Sequence, residues 1–427
     1  MNKIAVELNE VLKGTVADRL FSDLGRRFYF PKGIVAQSVE AGQKATTYNA
    51  TIGMATDGNE PIYLPSIQKF ITGLSVSEVY SYAPTPGLPK LRAAWKKEME
   101  GKNPSMKGKL TSSPLVTSGL THAIQTAADL FVDKGDKLVI PDMFWGNYRL
   151  QFEERREAEI VTFPFFNEQG GINLSGLEKA LRSTGKKMAL ILNFPNNPTG
   201  YSPTQGEADA ITALLKKLAD EGNNILCIFD DAYFGLFYEE ETCKESLFSP
   251  LADMHENILA VKVDGATKEE FVWGFRVGFI TYASKGMTAE QYEALQKKTM
   301  GAIRSSISSA NHMGQSMLLR SLDDPDYTVE KRKRFEILEE RYRKVRQVVD
   351  SLDKDSPLHP LPFNSGYFMT FKTDVDADKL RLHLLDRYGV GGIAINPDHF
   401  RVAYSSVSTD DVEDLYRILD KAAREIG

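Results

Sequence analysis

The sequence has 427 residues, of which 42% are apolar and 26% are charged, and its formal net charge is −6 at pH 7. This composition is that of an ordinary globular chain, and the slightly acidic balance argues against an extended nucleic-acid-binding surface. The length predicts two or three domains. Two cysteines, Cys227 and Cys243, and six scattered histidines indicate neither a disulfide framework nor a metal site.

The N-terminal segment mixes acidic, basic and apolar residues and contains no uninterrupted apolar stretch. It therefore predicts neither a signal peptide nor a membrane span. We expect a cytoplasmic protein that has no membrane partner.

Short apolar runs alternate with amphipathic segments from about residue 112 onward. The runs are KLVI from 137, EIVTF from 159, MALILNF from 188, ILCIFD from 225, ILAVKV from 258 and VGFITYA from 277. This alternation is typical of a parallel sheet with crossover helices, and uninterrupted apolar runs predict strands buried on both faces. Between two runs, Ile211, Leu214, Leu215 and Leu218 fall on one face of a predicted helix that ends at Gly222.

The last quarter of the chain has a different pattern. Residues 328–352 carry opposite charges at helical spacing and predict one long, solvent-exposed connecting helix. Beyond it, GYFMTF from 366, GIAI from 392 and FRVAYS from 400 predict short strands accompanied by two helices. These elements predict a smaller α/β domain.

Polar residues follow most of the predicted strands, at the edge where ligands bind in an open parallel sheet. Ser118, Gly119, Leu120 and Thr121 end one strand and begin a helix, which is typical of a phosphate-binding turn. Trp145 follows the next strand. A helix cap and a packing residue are the simpler interpretations of these two features.

Three later strand ends carry further candidate residues. NNPTG occupies 196–200, and FDDAY at 229–233 leaves Asp230 and Asp231 where an unpaired carboxylate would be costly. Lys268 follows three small residues, and Arg276 lies eight positions later between Gly274 and Gly278. Taken singly, a turn, a helix cap and a surface lysine would explain these features.

Taken in order, these features resemble the fold type I pyridoxal-phosphate enzymes, and among them the class I aminotransferases of the aspartate and aromatic amino acid branch. NNPTG, FDDAY and the TK that precedes GFRVG carry the resemblance, which covers most of the chain. It implies an α/β fold with a large domain on a mostly parallel seven-stranded sheet and a smaller α/β domain built from both termini. The implied divisions are an N-terminal arm with part of the small domain at 1–65, the large cofactor-binding domain at 66–325, and the long connecting helix with the C-terminal small domain at 326–427.

The resemblance also implies that pyridoxal 5'-phosphate is the cofactor. Lys268 would bond to it covalently, Asp230 would pair with its pyridine nitrogen, and these two residues with Tyr233 would be catalytic. Arg276 would hold the phosphate, and Trp145 would stack on the ring. The implied cofactor-binding residues are Gly119, Leu120, Thr121, Trp145, Asn197, Asp230, Tyr233, Thr267, Lys268, Arg276 and, from a second subunit, Tyr82.

The implied substrates are amino acids and 2-oxo acids. Arg401 would bind the substrate α-carboxylate, and Arg304 stands where the aspartate branch has an arginine that crosses a dimer interface to a side-chain carboxylate. The implied substrate-binding residues are Gly53, Trp145, Asn197, Arg304 and Arg401. The reaction would exchange an amino group between aspartate, glutamate or an aromatic L-amino acid and an acceptor such as 2-oxoglutarate, in a homodimer with shared active sites.

The sequence departs from the family at three places. Tyr148 replaces a histidine that backs the aspartate, Gly119 replaces a usual serine, and the segment after Arg304 lacks a double proline. The alternatives are a lyase or decarboxylase on the same scaffold, a cofactor-sensing regulator, and an unrelated doubly wound protein in which the lysine and arginine are incidental.

Overall fold

A computed structural model describes residues 1–31, 33–58 and 60–427. The first elements are helices whose N-caps are short polar side chains: Asn2, Thr15 and Ser22 each accept a backbone N–H. This N-terminal part contains α1 (Lys3–Leu12), α2 (Val16–Leu20), α3 (Asp23–Arg27), α4 (Ile34–Lys44), β1 (Tyr48–Asn49), β2 (Thr56–Asp57) and β3 (Glu60–Pro61).

The large lobe follows as alternating helices and strands. Its elements are α5 (Pro65–Gln68), α6 (Val76–Tyr80), α7 (Pro89–Lys102), β4 (Leu115–Ser118), α8 (Gly119–Phe131), β5 (Lys137–Pro141), β6 (Glu159–Phe163), α9 (Leu174–Arg182), β7 (Lys187–Asn193), α10 (Gln205–Asp220), β8 (Asn224–Asp230), α11 (Phe248–Leu251), β9 (Ile258–Gly265), α12 (Ala266–Glu269), β10 (Val277–Ala283), α13 (Ala289–Ser306) and α14 (His312–Leu322).

Seven of these strands form one sheet in the order β4-β10-β9-β8-β7-β5-β6. Strand β10 runs antiparallel to both of its neighbours, whereas the other pairs are parallel. The predicted mostly parallel sheet and its six apolar runs are confirmed. Because β7, β8 and β9 are parallel neighbours, the residues that end them meet at one edge of the sheet.

The core lies on both faces of this sheet. Along β7, Ala189 and Ile191 belong to one hydrophobic cluster, and Leu190 and Leu192 belong to the other. Alternate side chains of a strand point to opposite faces, so an uninterrupted apolar run is what two buried faces require.

Helix α10 shows how local sequence sets an element. Thr204 and Glu207 form a capping box at its start, and Gly222 adopts a φ of 81° after its end. The predicted apolar face is confirmed, since Ile211, Leu215 and Leu218 are fully buried.

The small lobe begins with the long helix. Its elements are α15 (Tyr327–Asp350), β11 (Leu358–Pro360), β12 (Met369–Thr373), α16 (Ala377–His383), β13 (Val390–Gly391), β14 (Ile393–Asn396), β15 (His399–Val402) and α17 (Val412–Ile426). Four of the strands form an antiparallel sheet in the order β11-β12-β15-β14, and β13 pairs with β1 from the N-terminal part. Both termini therefore build this lobe. The boundaries at 65/66 and 325/326 stay a proposal.

The prediction that residues 328–352 form a solvent-exposed helix was only half right. The helix exists, but Leu338, Arg341, Tyr342, Val345 and Val349 are buried on one side of it. Apolar residues spaced three and four apart within the charged run produce this face, which packs against α17. Within the described ranges, no helix is both long enough and apolar enough to cross a membrane.

Gly200 connects the two lobes and yields a test of the fold. It has a φ of 74°, its carbonyl oxygen accepts the N–H groups of Asn364 and Ser365, and a Cβ there would lie 1.9 Å from the carbonyl oxygen of Phe368. We expect Gly200→Ala to destabilise the protein by at least about 2 kcal/mol, seen as a lower midpoint of thermal unfolding. Gly206→Ala, within α10 and facing open space, is the matched control and should raise stability by up to about 1 kcal/mol. Equal midpoints for the two variants would contradict the described turn.

Candidate active site

A cavity of about 320 Å³ lies at the carboxyl edge of the large sheet, where Gly53 and two small-lobe residues, Phe368 and Arg401, also reach it. Asn193 and Asp230, which end β7 and β8, line it together with residues that follow β4 and β9. The sequence-predicted residues that line it are Gly53, Leu120, Thr121, Trp145, Asn197, Asp230, Tyr233, Thr267, Lys268, Arg276 and Arg401. Residues far apart in the chain are thus brought together at the predicted edge.

Asp230 is a buried carboxylate with a defined partner. It is 3% exposed, Tyr148 Oη donates to its Oδ2 at 2.6 Å, and the Ala232 N–H donates to its Oδ1 at 3.2 Å. Burial raises the pKa of Asp230 to about 6, although the Tyr148 hydrogen bond and the charge of Lys268 oppose the shift. Tyr148, which stands where the resemblance implies a histidine, therefore donates a hydrogen bond to this carboxylate, and Asp230 can be ionised at neutral pH.

Lys268 lies in the single turn α12, directly beyond β9. A Cβ at Gly265 would be 2.7 Å from the carbonyl oxygen of Val277, so β9 can end this close to β10 only with a glycine. The Lys268 Nζ lies 4.8 Å from the ring centre of Tyr233. Burial lowers the pKa of Lys268 to about 8, with a further contribution from the positive charge of Arg276 and an opposing one from Asp230. A neutral, nucleophilic amine is therefore accessible near physiological pH.

An anion-binding corner lies at the start of α8. The helix begins at Gly119 directly after β4, its N-cap Ser118 makes no side-chain capping bond to the described residues, and Leu120 and Thr121 of its first turn line the cavity. Thr267 Oγ1 is buried and has no hydrogen-bond partner among the described residues. These donors suit a phosphate group.

Arg276 completes this corner because glycines make room for it. It adopts a left-handed backbone with a φ of 53°, and a Cβ at Gly119 would lie 2.5 Å from its Nη2. A Cβ at Gly278 would lie 2.6 Å from the carbonyl carbon of Gly119. The glycine in place of the family serine thus admits the guanidinium to the helix start.

Arg401 forms a second cationic corner across the cavity. It is 2% exposed, Nη1 donates to Asn197 Oδ1 and Nη2 donates to the Thr51 carbonyl oxygen, each at 2.9 Å. Its guanidinium lies 4.3 Å from the ring centre of Phe368, and its Nε has no partner among the described residues. Burial lowers the pKa of Arg401 to about 10, so the group remains a cation whose charge favours an incoming carboxylate.

Some residues that line the cavity were not predicted from the sequence. Ile34, Asn193, Ala232 and Phe368 line the cavity, and none of them was assigned a role from the sequence. Phe368 precedes a small-lobe strand and looks like an ordinary core residue in the sequence. Its proximity to Arg401 depends on how the two lobes pack, which no local pattern encodes.

Three predicted residues do not line the cavity. Gly119 lies behind it, in contact with Arg276. Tyr82 is 93% exposed, and Arg304 is an exposed residue at the end of α13 whose guanidinium bonds Ser308. The prediction for Tyr82 and Arg304 involves a second subunit, so their roles stay a prediction.

Comparison with known proteins identifies the family. The family described as aminotransferase class I and II matches residues 56–419. The chain belongs to the class I and II aminotransferases. It is 26% identical to an aspartate aminotransferase of Thermotoga maritima, over 72% of this chain and 74% of that protein. It is also 26% identical to an aspartate/prephenate aminotransferase of Thermus thermophilus, over 81% and 83% of the two chains.

The fold agrees with that assignment. The structure of an aminotransferase from Anaerococcus prevotii superposes with a TM-score of 0.83 at 23% identity, covering 97% of this chain and 99% of that one. Class I aminotransferases use pyridoxal phosphate, and the lining fits this group: the Thr267 hydroxyl has no partner among the described residues, Arg276 lies against the uncapped start of α8, and the buried carboxylate of Asp230 lines the same cavity. The chain is accordingly an aminotransferase of fold type I.

The shifted pKa of Lys268 can be measured in the ligand-free protein. Because its pKa is lowered to about 8, Lys268 should react with a limiting amine-reactive anhydride at half its maximal rate near that pH. At higher pH the amine is neutral and should react at its maximal rate. Competitive labelling followed by peptide mass spectrometry would give the titration curve, with exposed Lys216 as the reference in the same digest. A Lys268 curve that coincides with that of Lys216 would contradict the buried environment described above.

Proposed function

We propose that the protein transfers an amino group between an L-amino acid, namely aspartate, glutamate or an aromatic amino acid, and a 2-oxo acid such as 2-oxoglutarate. The observation that carries this proposal is one cavity lined by Lys268, with its lowered pKa, by a buried carboxylate, Asp230, and by a buried arginine, Arg401. An amine, an anion and a carboxylate-binding cation are the groups that this reaction requires.

The cofactor-binding roles follow from the donor set. When bound, pyridoxal phosphate supplies an electron-withdrawing ring that acidifies the Cα–H bond of an attached amino acid. Arg276, Thr267 and the N–H groups of Leu120 and Thr121 would hold the phosphate. Asp230 would pair with the pyridine nitrogen as a carboxylate, and the hydrogen bond from Tyr148 favours that ionised form.

Two neighbouring aromatic side chains orient the ring. Trp145, half-buried and packed edge-on against Tyr148 at 5.6 Å, covers one face of the cavity. The buried Tyr233 hydroxyl and the side chain of Asn197 bind the ring oxygen. Asn197 is held in place, since its backbone N–H donates to Asn193 Oδ1 at 2.8 Å and its Oδ1 accepts from Arg401 Nη1 at 2.9 Å.

Lys268 moves the proton. Because its pKa is lowered to about 8, its amine would be neutral above that pH and would take the proton from the substrate Cα as the general base. Arg401 binds the substrate α-carboxylate, with Asn197 and the backbone at Gly53 beside it. A Cβ at Gly53 would lie 3.4 Å from the Phe368 ring, so a larger residue there would narrow the cavity.

We further propose a homodimer with shared active sites. Tyr82, 93% exposed, and Arg304, also exposed, lie outside the cavity of their own chain and are assigned to the cavity of the partner subunit. Tyr82 would reach the cofactor phosphate, and Arg304 would bind the side-chain carboxylate of a dicarboxylic substrate.

The proposal is tested by half-reactions of the purified holoenzyme. Aspartate, glutamate, phenylalanine and alanine are added one at a time. An amino acid that is a substrate should change the visible absorbance, and 2-oxoglutarate should then restore the original spectrum. Lys268→Ala should lower turnover by more than about 100-fold because the general base is lost, and Lys216→Ala, on an exposed helix face, should not. Release of ammonia or carbon dioxide without an amino acceptor would replace this proposal with a lyase or decarboxylase.

The role of Arg304 makes a separate prediction. Arg304→Ala should raise the KM for aspartate and glutamate by about tenfold or more, through loss of a charge-assisted hydrogen bond, and should leave phenylalanine unaffected. Arg332→Ala, which removes another exposed arginine, is the control. An equal effect on dicarboxylic and aromatic substrates would contradict the assignment.

A further inference from the structure

A group of charged side chains lies outside the cavity and the proposed catalytic machinery; five of them are buried, and Lys102 and Lys331 are 24% exposed. It contains three lysines and four carboxylates in two neighbouring sets of ion pairs, and we call it the buried ion network: Lys102, Lys262, Lys331, Asp231, Asp264, Glu269 and Glu270. None of the seven lines the cavity. Two of them directly follow Lys268 in the sequence, and one directly follows Asp230.

One half of the network anchors the end of β8. The side chains of Lys262 and Asp231 are 1% and 5% exposed and form an ion pair, and Lys262 Nζ lies 3.5 Å from Asp264 Oδ2. Ser246 Oγ donates to Asp231 Oδ2 at 2.6 Å, and Trp95 Nε1 donates to Asp264 Oδ1 at 3.2 Å. These contacts fix the backbone from which Asp230 projects.

The other half anchors α12, the turn that carries Lys268. Lys102 Nζ on α7 lies 2.5 Å from Glu269 Oε1. Lys331 Nζ on α15 lies 3.2 Å from the same oxygen and 2.7 Å from Glu270 Oε1. Although burial opposes ionisation, Lys102 and Lys331 lower the pKa of Glu269 to about 2, so it is an anion. The two halves meet at a void of about 10 Å³ lined by Lys102, Lys262, Asp264 and Glu269.

Helix α12 needs such an anchor. It has four residues, and a single turn is unstable without tertiary contacts. The chain that follows is strained, because Phe271 and Arg276 adopt φ values of 56° and 53° without being glycines. Strain of this kind persists only where surrounding contacts hold the segment.

A contribution to the free energy of unfolding does not by itself explain the buried ion network. Removing charges from water costs several kcal/mol per ion, and an apolar replacement of a buried ion pair is often neutral or stabilising. An ion pair fixes a direction and a distance, whereas apolar packing tolerates small shifts. A role in positioning Lys268 and Asp230 accounts both for the free-energy cost of removing these charges from water and for the location of the network next to those two residues.

We infer that Glu269, held by Lys102 and Lys331, is a positioning residue that fixes Lys268 relative to Asp230. This inference rests on the proposed function. A displacement of about 1 Å at a reacting group can lower a rate by about 100-fold, so loss of the anchor acts on turnover more than on substrate binding.

The test compares Glu269→Gln, Lys102→Met and the double variant in the holoenzyme. Glu269→Gln should lower kcat at least about tenfold with KM within about twofold of wild type. It should also lower the midpoint of thermal unfolding, since Lys102 loses its nearest anion and keeps only the more distant Glu98 and Glu270, at 3.7 and 3.9 Å. The double variant removes that unpaired charge, so its midpoint should recover while kcat stays low. Lys216→Met with Asp220→Asn, an exposed ion pair, is the control and should change neither quantity.

Competitive labelling of the ligand-free variants gives a readout independent of turnover. A displaced α12 exposes the amine, so the half-point of Lys268 labelling should move upward from about 8 in both Glu269→Gln and the double variant. A kcat that recovers together with the unfolding midpoint, or an unchanged labelling curve, would overturn the inference. Failure of the wild-type protein to transaminate would instead overturn the proposed function, while the labelling experiment would still decide the position of Lys268.

Discussion

The burial of one amine and one carboxylate at the same sheet edge is the constraint on which the site depends. Burial disfavours the charged form of each group, so it lowers the pKa of Lys268 to about 8 and raises that of Asp230 to about 6. Each group also partly offsets the shift of the other. Adjacent parallel strands, β8 and β9, end at this edge, and the topology of the sheet therefore creates the pair.

Close backbone approach is the second requirement. Gly119, Gly265 and Gly278 let β9, β10 and the start of α8 come nearer than side chains would allow. The gap that they leave is occupied by the guanidinium of Arg276, which reaches the helix start from a left-handed backbone. One feature of the sequence, an arginine flanked by glycines, is thus explained by packing and by anion binding together.

Sequence reasoning predicted the features that are local in the chain. Strands β5 to β10 were visible as apolar runs, and residues at or just beyond strand ends, such as Asp230 and Lys268, line one cavity because parallel strands end at the same edge. Contacts between distant segments were not predicted. Nothing near Tyr148 or Phe368 specifies their partners, and the charged run that forms α15 concealed a buried apolar face.

The buried ion network could not be predicted from the sequence for the same reason. Glu269 and Glu270 look like surface residues in the sequence, and only the approach of α7 and α15 provides their lysines. Tyr82 and Arg304 present a different case, since the prediction places their partners on another subunit. A single chain describes their exposure and leaves their assignment as a proposal.

The central claim is that Lys268 holds pyridoxal phosphate in the described cavity. Its most direct test is borohydride reduction of the purified holoenzyme, followed by proteolysis and peptide mass spectrometry. We expect a phosphopyridoxyl adduct on the peptide that contains Lys268 and, in Lys268→Ala, no adduct at the cavity. An adduct on another lysine, or no adduct after saturation with the cofactor, would contradict it.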